Sequence, residues 1–371
     1  MKIDRVTVRM IRVPIRMTRK HGVGDISSSI SNVILELGTD GGLIGWGEAS
    51  PWTVFTGTAE ASAAAIDVYF QPLLLGADPF AVNELMQRCD KAVFGHGDAK
   101  AAVEMALLDL VGQALGAPIH WLLGGAVRME IPLSVSIANP DFAADLELAK
   151  RVHAEGVRLF KVKTGFTDHA TDLKRLEALR QTFDADMDLR VDYNQGLEAW
   201  DAIRQLKDVE AFRPTFIEQP VPRDRLDAMA AITAAIVTPI LADESVFTPA
   251  DAIRLVRERA ADCVSIKIMK SGGILPARRI AEIAEAAGLA AYGGTMFEGG
   301  IALTAGMHLV AATRNISLGA EFYTATYVLE RDVLASPVRQ VNGKTQVPDG
   351  PGLGIAVDRD VLKHYTVEQR G

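Results

Sequence analysis

Two lysines stand two positions apart in the segment LFKVKTG, residues 159–165. The apolar residues around them predict a buried strand, in which side chains two positions apart project from the same face. Lys161 and Lys163 would then point the same way, although lysine is among the residues least often buried. Taken alone, the segment favours a solvated edge strand, where lysines discourage aggregation. Residues elsewhere in the sequence favour a chemical role instead.

Three carboxylates stand at the ends of predicted strands downstream of this segment. Asp192 lies in DLRVDY, Glu218 in TFIEQP and Asp243 in PILADE. Carboxylates that converge on one point repel one another unless a cation lies between them, and hard oxygen ligands suit Mg²⁺ or Mn²⁺. A single acid of this kind would more simply cap the next helix. Three acids at the ends of adjacent strands predict one divalent ion per subunit, bound by these three residues.

A second lysine pair, Lys267 and Lys270, follows a later predicted strand that begins at Cys263. In an eight-stranded barrel, Lys163 and Lys267 would face each other across the metal. Lysines placed in this way could remove or deliver a proton on either face of an enolate, and burial beside other cations lowers the pKa of lysine toward working pH. Surface lysines with buried stems are the alternative, but they do not explain a pairing across the barrel. Lys270 lies three residues beyond Lys267 and off the strand end, so we expect Lys270→Met to have a mild effect.

The elements that must position these residues recur with a regular period. Eight β-rich runs begin near residues 131, 157, 188, 215, 239, 263, 289 and 315. Their spacing of about 24–31 residues is the length of one strand–helix unit, and it predicts a (β/α) barrel whose chemistry gathers at the C-terminal ends of the strands. An open doubly wound sheet is the alternative. The sequence carries no G-x-G-x-x-G or Walker A motif, which such a sheet normally shows.

The N-terminal part has a different pattern. Residues 1–50 predict antiparallel strands, with Asp40-Gly41-Gly42 as a hairpin turn. Residues 59–116 predict helices, and the clearest of them would be capped by Asp98 and stopped by Gly116. Strands followed by helices indicate an α+β module. The segment after the barrel is rich in turns, and we expect it to return to this module. The predicted domains are an α+β capping domain over 1–125, a barrel over 126–321 and a C-terminal segment over 322–371.

The composition limits the class of protein. The chain has 371 residues, of which 49% are hydrophobic and 23% charged, as in a soluble globular protein of two domains or of a barrel with an addition. A formal charge of −8 with scattered basic residues disfavours nucleic-acid binding. Cys89 and Cys263 lack metal-motif spacing and predict reduced thiols in a cytoplasmic protein. The charged, alternating N-terminus predicts a strand rather than a signal peptide, and no apolar run approaches the ~20 residues that cross a membrane.

The motifs KVK, DYN, EQP, ADES, SIKIMKSGG and GGTMFEGG, in this order, resemble the enolase superfamily and, more specifically, its muconate lactonizing enzyme subgroup. The resemblance covers essentially the whole chain, including PDGPGLGI near the C-terminus. It implies a modified (β/α)7β barrel with a capping domain closed over its mouth. It also implies Asp192, Glu218 and Asp243 as metal ligands, with Lys163 and Lys267 as the acid/base pair.

The same resemblance implies supporting roles for four more residues. Lys161 would support Lys163 and a carboxylate, Asn194 and Glu244 would lie behind the ligands, and Glu298 would follow the seventh strand. The sequence lacks the seventh-strand histidine of mandelate racemase-like members, and it lacks the Asp-x-Asp with which dipeptide epimerases hold an α-amino group. TMFE is similar to the TMLE of muconate cycloisomerases. The two absent features and the TMFE motif favour a cycloisomerase over a mandelate racemase-like enzyme or a dipeptide epimerase.

Two loops of the capping domain are expected to determine specificity. RMTRKHGVGDISSS and SPWTVFTG follow strands, contain glycines and lack regular periodicity, as mobile lids do. Lys20 or His21 could bind a second substrate carboxylate, and Trp52 and Phe55 could exclude water. Ordinary loops with a packed tryptophan are the alternative interpretation.

The sequence therefore predicts a cytoplasmic, divalent-metal-dependent cycloisomerase that acts on a small dicarboxylate such as cis,cis-muconate through a metal-stabilised enolate. The alternatives with the same enolate step are a racemase or epimerase of N-acylamino acids or dipeptides and an o-succinylbenzoate synthase. More distant alternatives are an aldolase with Lys267 as Schiff-base nucleophile and a catalytically silent binding protein. The resemblance also implies a homo-oligomer, either a dimer or an octamer.

Overall fold

The structure is a computed structural model that describes residues 1–183 and 186–371. Its strands, in chain order, are β1 (Ile3–Pro14), β2 (Arg19–His21), β3 (Gly24–Ile26), β4 (Ser29–Thr39), β5 (Ile44–Ala49), β6 (Glu130–Pro132), β7 (Ser134–Ile137), β8 (Leu159–Lys163), β9 (Asp188–Asp192), β10 (Ile217–Glu218), β11 (Ile240–Ala242), β12 (Cys263–Ile266), β13 (Ala290–Gly293), β14 (Ile316–Ala320), β15 (Gln340–Val341), β16 (Lys344–Gln346) and β17 (Thr366–Arg370).

The helices are α1 (Ala59–Ala64), α2 (Gln71–Leu74), α3 (Val82–Ala92), α4 (Gly97–Leu115), α5 (Ile119–Leu122), α6 (Phe142–Ala154), α7 (His169–Thr182), α8 (Ala202–Glu210), α9 (Leu226–Ala235), α10 (Pro249–Glu258), α11 (Ile268–Ser271), α12 (Ile274–Ala286), α13 (Gly300–Ala312) and α14 (Arg359–Tyr365). Two further segments, Ala65–Phe70 and Thr324–Val328, are π-helical.

An antiparallel sheet of order β17-β1-β4-β5 forms the centre of the capping part. The predicted hairpin turn between β4 and β5 is confirmed, and Gly42 adopts the left-handed φ of 81° that such a turn requires. Helix α4 packs directly on β5. A Cβ atom on Gly47 would lie 2.0 Å from the carbonyl oxygen of Ala102, so the close approach of helix and strand depends on this glycine.

Helix α4 differs from the prediction at its start. His96 occupies the N-cap position in a left-handed conformation, and Asp98 lies inside the first turn as a buried residue rather than as the cap. An acidic group in the first turn still interacts favourably with the helix dipole. The predicted stop is confirmed, because Gly116 ends the helix with a left-handed φ of 65°.

Strands β7 to β14 form a parallel sheet in sequential order. Their positions confirm the predicted period, from the run predicted near 131, where β7 starts at Ser134, to the run near 315, where β14 starts at Ile316. A helix follows each strand from β7 to β13, and an isolated bridge between Leu133 and Ala320 nearly closes the sheet. The architecture is therefore the modified (β/α)7β barrel.

Alternation along the strands separates two apolar layers of the barrel. Phe160 and Val162 belong to the layer packed against the helices, as the period of two requires. A separate interior cluster fills the base of the barrel and comprises Phe216, Leu241, Cys263 and Tyr292. The guanidinium of Arg190 lies 5.1 Å from the ring centre of Phe216 and 4.9 Å from that of Tyr292. The polar side chains that follow this cluster along each strand therefore reach the mouth.

Residues after the barrel contact two separate parts of the chain. Strand β17 pairs antiparallel with β1, with Val8 opposite Arg370. Strand β16 pairs with β15 and with β6, just before the barrel. Cys89 and Cys263 are free, buried thiols. Across the described part of the chain, no helix has both the length and the apolar character that crossing a bilayer requires.

Candidate active site

The strand register places carboxylates and lysines at one level of the barrel mouth. Lys163 lies opposite Asp192, and Asp192 lies opposite Glu218. Asp243 directly follows β11, and Lys267 directly follows β12. All five side chains are buried. The structure thus brings the predicted metal ligands and the predicted acid/base pair together.

Both lysines of β8 point into the barrel and contact carboxylates. The Nζ atom of Lys161 lies 2.8 Å from Glu218 Oε2, 2.9 Å from Glu321 Oε2 and 3.2 Å from Asp192 Oδ2. The Nζ atom of Lys163 lies 2.5 Å from Asp192 Oδ2 and donates to Asn194 Oδ1 at 2.8 Å. Strand β8 is paired on both sides. The edge-strand interpretation of these lysines is therefore wrong.

Two lysines hold Asp243 from the opposite side of the barrel. Lys267 Nζ lies 2.5 Å from Asp243 Oδ2, and Lys270 Nζ lies 2.8 Å from Oδ1 and 2.7 Å from the carbonyl oxygen of the same residue. The expectation that Lys270 lies away from the strand ends is therefore wrong, because it contacts the acid that follows β11. The short helix α11 ends at Gly272 in a left-handed conformation, and this one turn brings Lys270 back toward the strand end.

Asn194 connects the two sides of the site. Its backbone N–H donates to Asp192 Oδ1 at 2.9 Å, and its side-chain amide donates to Glu244 Oε1 at 3.1 Å. Asn194 adopts a left-handed φ of 41°, and Gln219, at the end of the next strand, has a φ of 34°. Non-glycine residues with such angles are rare and tend to cluster at functional sites. Asn194 thus contacts the strand-end acid Asp192, and Glu244 contacts Asn194.

Glu298 lies beside the site rather than inside it. Its Oε2 atom accepts a hydrogen bond from the Met296 N–H at 2.6 Å, and burial raises its pKa to about 8. It lines a neighbouring cavity with Gly294, Ala302 and Phe322. This cavity shares Thr295 with the cavity that the lysines line, and the charge of Lys267 acts on Glu298.

Residues from both parts of the chain enclose a cavity around the two opposed lysines. Lys163, Lys267 and Asn194 line its barrel side, and the capping loops contribute His21 and Trp52. The Trp52 ring lies 4.9 Å from that of His21 and 5.4 Å from that of Phe297, both edge-on. The ring of Phe55 lies 4.8 Å from Lys267 Nζ. We call Trp52, Phe55 and Phe297 the aromatic roof.

The first capping loop is more regular than its sequence indicates. Residues expected to be irregular form a small hairpin of β2 and β3. Alternation turns His21 toward the cavity, whereas Lys20 faces outward and lies 3.6 Å from Asp25. Burial and the nearby Lys163 ammonium lower the pKa of His21 well below its ordinary value, so its imidazole is neutral near pH 7. Of the two basic residues expected to bind substrate, only His21 reaches the cavity.

The charged groups at the strand ends shift one another's pKa. Burial opposes ionisation of Asp192, but the ammonium groups of Lys163 and Lys161 outweigh it and lower its pKa. Burial and repulsion from Asp192 raise the pKa of Glu218 to about 8. Burial opposes the charge of Lys267, but Asp243 and Glu218 outweigh it and raise its pKa, so the lowered lysine pKa predicted from the sequence is wrong for this residue. The site is thus a buried set of carboxylates that depends on neighbouring cations.

The buried oxygens at the strand ends include some that could bind a divalent ion. Within residues 1–183 and 186–371, no three His, Cys, Asp or Glu side chains lie together as a ready metal-binding group. The reason is that lysines are interleaved with the acids, with Lys161 in contact with both Asp192 and Glu218. Two buried carboxylate oxygens, Glu218 Oε1 and Glu244 Oε2, have no hydrogen-bond partner. Unsatisfied hard oxygens beside two further carboxylates fit Mg²⁺ or Mn²⁺.

Two contacts of the site were not predicted. Glu321 follows β14 and binds Lys161, so the rule that chemistry gathers at strand ends could have identified it. Lys270 could have been identified from its spacing of three residues after Lys267, since one helical turn brings such residues to the same side.

Comparisons with known proteins cover nearly the whole chain. Residues 3–124 match the family described as mandelate racemase / muconate lactonizing enzyme, N-terminal domain, and residues 144–361 match enolase C-terminal domain-like. The crystal structure of a muconate cycloisomerase from Azorhizobium caulinodans is 49% identical, with a TM-score of 0.86, and the match covers 99% of this chain and 98% of that chain.

Two other relatives have names that indicate different reactions. The L-Ala-D/L-Glu epimerase of Bacillus subtilis (strain 168) is 36% identical over 361 residues, which are 96% of this chain and 97% of the relative. The crystal structure of an N-succinyl Arg/Lys racemase from Bacillus cereus is 31% identical, with a TM-score of 0.95, and covers 100% of this chain and 99% of that chain. The barrel, the capping part and these matches together show that the chain belongs to the mandelate racemase/muconate lactonizing enzyme family of the enolase superfamily.

Proposed function

We propose that this enzyme is a divalent-metal-dependent cycloisomerase that converts a small dicarboxylate, such as cis,cis-muconate, to a lactone. One observation carries the proposal. Within the described residues, Glu321 is the one carboxylate that lines the lysine-lined cavity, and Lys161 already binds it. Along the lining of this cavity, a substrate with a free ammonium group would meet no carboxylate that is free of a lysine, whereas an anionic substrate meets Lys163 and Lys267.

Asp192, Glu218 and Asp243 are the residues that would hold Mg²⁺ or Mn²⁺. When bound, the ion would supply electrostatic stabilisation of negative charge at the substrate carboxylate. Lys161 holds Glu218 and Glu321 in position through contacts of 2.8 and 2.9 Å. The enolase superfamily uses divalent metals, and the identity of the ion here remains part of the proposal.

The reaction requires one bond to form and one proton to be delivered. An oxygen of the second carboxylate adds to a carbon of the conjugated system, and the π electrons shift to give an enolate. Lys163 or Lys267 then delivers a proton to the carbon beside the first carboxylate. The reverse reaction uses the same lysine as base. Both amines line the cavity, so either face of a planar enolate is accessible to one of them.

The aromatic roof keeps this chemistry away from bulk water. Trp52 and Phe55 are each 8% exposed, and Phe297 is 5% exposed. A dry site strengthens the electrostatic interactions that stabilise an enolate and protects it from adventitious protonation.

Racemisation of an N-acylamino acid is the second candidate. The observation that favours it is the pair of lysines from opposite sides of the barrel, because racemisation needs a base on one face and an acid on the other. An acylated nitrogen carries no charge and needs no acidic partner. An o-succinylbenzoate synthase would use the same enolate step.

Proton NMR in D₂O with Mg²⁺ separates these reactions. A cycloisomerase converts cis,cis-muconate to a lactone and places one deuteron beside the carboxylate. A racemase exchanges the α-hydrogen of an N-acylamino acid without any change in connectivity. If N-succinylamino acids show a much higher kcat/KM than muconate, the cycloisomerase proposal is wrong and the enolate step stands.

Two sequence-based predictions extend the proposal. The resemblance implies a homo-oligomer, either a dimer or an octamer, and the composition implies a cytoplasmic enzyme. Light scattering after size-exclusion chromatography would test the first, and cell fractionation would test the second.

A further inference from the structure

A buried guanidinium lies near the cavity without a direct ion pair. Arg19, in β2, is 1% exposed. Its Nη2 atom donates to the carbonyl oxygen of Ser136 at 3.0 Å and to the hydroxyl of Tyr323 at 3.1 Å, while Nε has no hydrogen-bond partner. No carboxylate of the described residues lies within the 4.0 Å of an ion pair from its nitrogens. A positive charge in this position is costly unless an anion joins it.

The neighbouring acid, Asp145, interacts with the charge of Arg19 without a direct contact, and its Oδ1 atom has no hydrogen-bond partner. Its Oδ2 atom accepts from the backbone N–H of Asn139 at 2.7 Å and from Arg175 at 3.3 Å. Arg19 instead packs on a neutral ring, with its guanidinium carbon 5.4 Å from the centre of Tyr323. The fold therefore gives Arg19 a nearby negative charge but no direct ion pair.

The strand geometry places Arg19 on the same face of β2 as His21, which lines the cavity. Arg19 and His21 are two positions apart on β2 and both are buried, while the intervening Lys20 faces outward. His21 and Tyr323 both line the cavity. The hydroxyl of Tyr323 accepts a hydrogen bond from Arg19, so its own hydrogen is free to be donated to a further acceptor. Guanidinium and phenol together form a donor pair on the capping side of the cavity.

We propose that Arg19 and Tyr323 form the subsite for the second carboxylate of a dicarboxylate substrate. The inference rests on the proposed function and gives it a specificity determinant. The first carboxylate would lie on the barrel side, near the strand-end acids and lysines. The second would accept from the Tyr323 hydroxyl and be attracted by Arg19. In lactonisation, this second carboxylate is the group that adds to the double bond, so the subsite would also orient the attacking oxygen.

Binding of an unreactive dicarboxylate tests this subsite. The probes are adipate and its monomethyl ester, titrated calorimetrically into the full-length protein with saturating Mg²⁺. Wild-type protein should prefer adipate by about tenfold to a hundredfold, as expected for hydrogen bonds to a charged group. Arg19→Gln should reduce this preference to less than about threefold without changing affinity for the monoester.

Arg16→Gln is the matched control. Arg16 is three positions earlier and bonds to the carbonyl oxygens of Thr326 and Glu330 near the surface. This variant should keep the wild-type preference. If Arg19→Gln also keeps it, or if wild-type protein shows no preference, the subsite proposal is overturned.

A second variant covers the case in which Arg19→Gln fails to fold. Tyr323→Phe keeps the ring and its packing but removes the hydroxyl. It should reduce the preference for adipate over the monoester by at least about threefold. Wild-type behaviour of this variant would overturn the proposal. Adipate is not lactonised, so the outcome is independent of the reaction. If the variants lose the preference for adipate and the wild-type enzyme does not turn over muconate, the cycloisomerase proposal is refuted. The anion subsite is then still supported.

Discussion

Lys270 donates hydrogen bonds to both the carboxylate and the backbone carbonyl of Asp243, at 2.8 and 2.7 Å. Its side chain is 0% exposed, and Lys267 contacts the other oxygen of the same carboxylate. Two ammonium groups therefore fix one strand-end acid, and the backbone contact ties the loop after β11 to α11. Removal of either amine should disturb the geometry of the site.

Lys270→Met should destabilise the protein by about 1.5–3 kcal/mol, because buried hydrogen bonds to charged groups contribute about this much. Urea unfolding of the chelated protein would measure it. Lys150→Met is the control, because Lys150 forms an exposed pair with Glu147 at 2.8 Å, and such pairs contribute less than about 1 kcal/mol. Equal losses in both variants would show that Lys270 has no special structural role.

The period of the sequence identified the barrel because each strand–helix unit repeats the same local pattern. The strand-end rule then placed Lys163, Asp192 and Glu218 at one level, which the register confirms. The resemblance to a family added Asn194 and Glu244, whose contacts a period alone could not predict. Local pattern and topology are thus sufficient to predict a site residue when its position follows from the strand register.

The errors arose where position depends on tertiary contacts. Lys270 is brought to Asp243 by a turn that ends at the left-handed Gly272, and a strand pattern does not extend into that turn. Lys20 and His21 are adjacent in sequence, so only the formation of the β2–β3 hairpin decides which of them faces the cavity. Arg19 was overlooked for the same reason.

The metal ligands can be tested without the reaction. Glu218→Gln removes one negative charge from the proposed ligand set and should weaken Mn²⁺ affinity by at least about tenfold, measured by electron paramagnetic resonance of free Mn²⁺. Asp109→Asn is the control, because Asp109 is equally buried but accepts from the backbone N–H groups of Trp46 and Leu353. It should bind Mn²⁺ like wild type.

Chelation gives a second test of the same site. Exhaustive EDTA treatment should abolish turnover, and Mg²⁺ or Mn²⁺ should restore it. Full activity of the chelated protein would contradict the assignment of these residues as metal ligands. The assignment would also be contradicted if Asp109→Asn weakened Mn²⁺ binding as much as Glu218→Gln.

The opposed lysines should each be required for proton transfer. Lys163→Met and Lys267→Met should lower kcat by about 10²–10⁴, the usual contribution of general acid–base catalysis. Arginine at either position should not restore activity, because a guanidinium does not release its proton near neutral pH. Lys344→Met, which removes an exposed partner of Glu130, should leave kcat unchanged. Near-normal kcat in Lys267→Met would show that the register assigned to this strand end is misplaced.

His308 should make stability depend on pH. It contacts His120, with 3.0 Å between the Nδ1 atoms, and its Nε2 lies 3.1 Å from the Leu353 carbonyl oxygen. Burial lowers the pKa of His308 to about 4, against about 6.5 in an unfolded chain. Between these values the unfolded chain binds a proton that the folded protein does not, so stability falls as pH decreases, by up to about 3 kcal/mol.

The measurement compares unfolding free energies at pH 7 and at about pH 4.5. The decrease on acidification should be smaller in His308→Gln than in wild type, because the variant lacks the group whose protonation favours unfolding. His364 is exposed, and His364→Gln should retain the full decrease. The same decrease in all three proteins would rule out His308 as its source.

The pairing of β17 with β1 determines when the capping sheet can be completed. Val8 is synthesised before all eight barrel strands, but its partner Arg370 leaves the ribosome only after them. At the usual elongation rate of about 5–20 residues per second, this delay is on the order of tens of seconds. During it, one edge of β1 remains unpaired on the nascent chain, and an unpaired edge is prone to aggregation. We therefore expect the sheet beneath the capping loops to be completed only after the barrel has been synthesised.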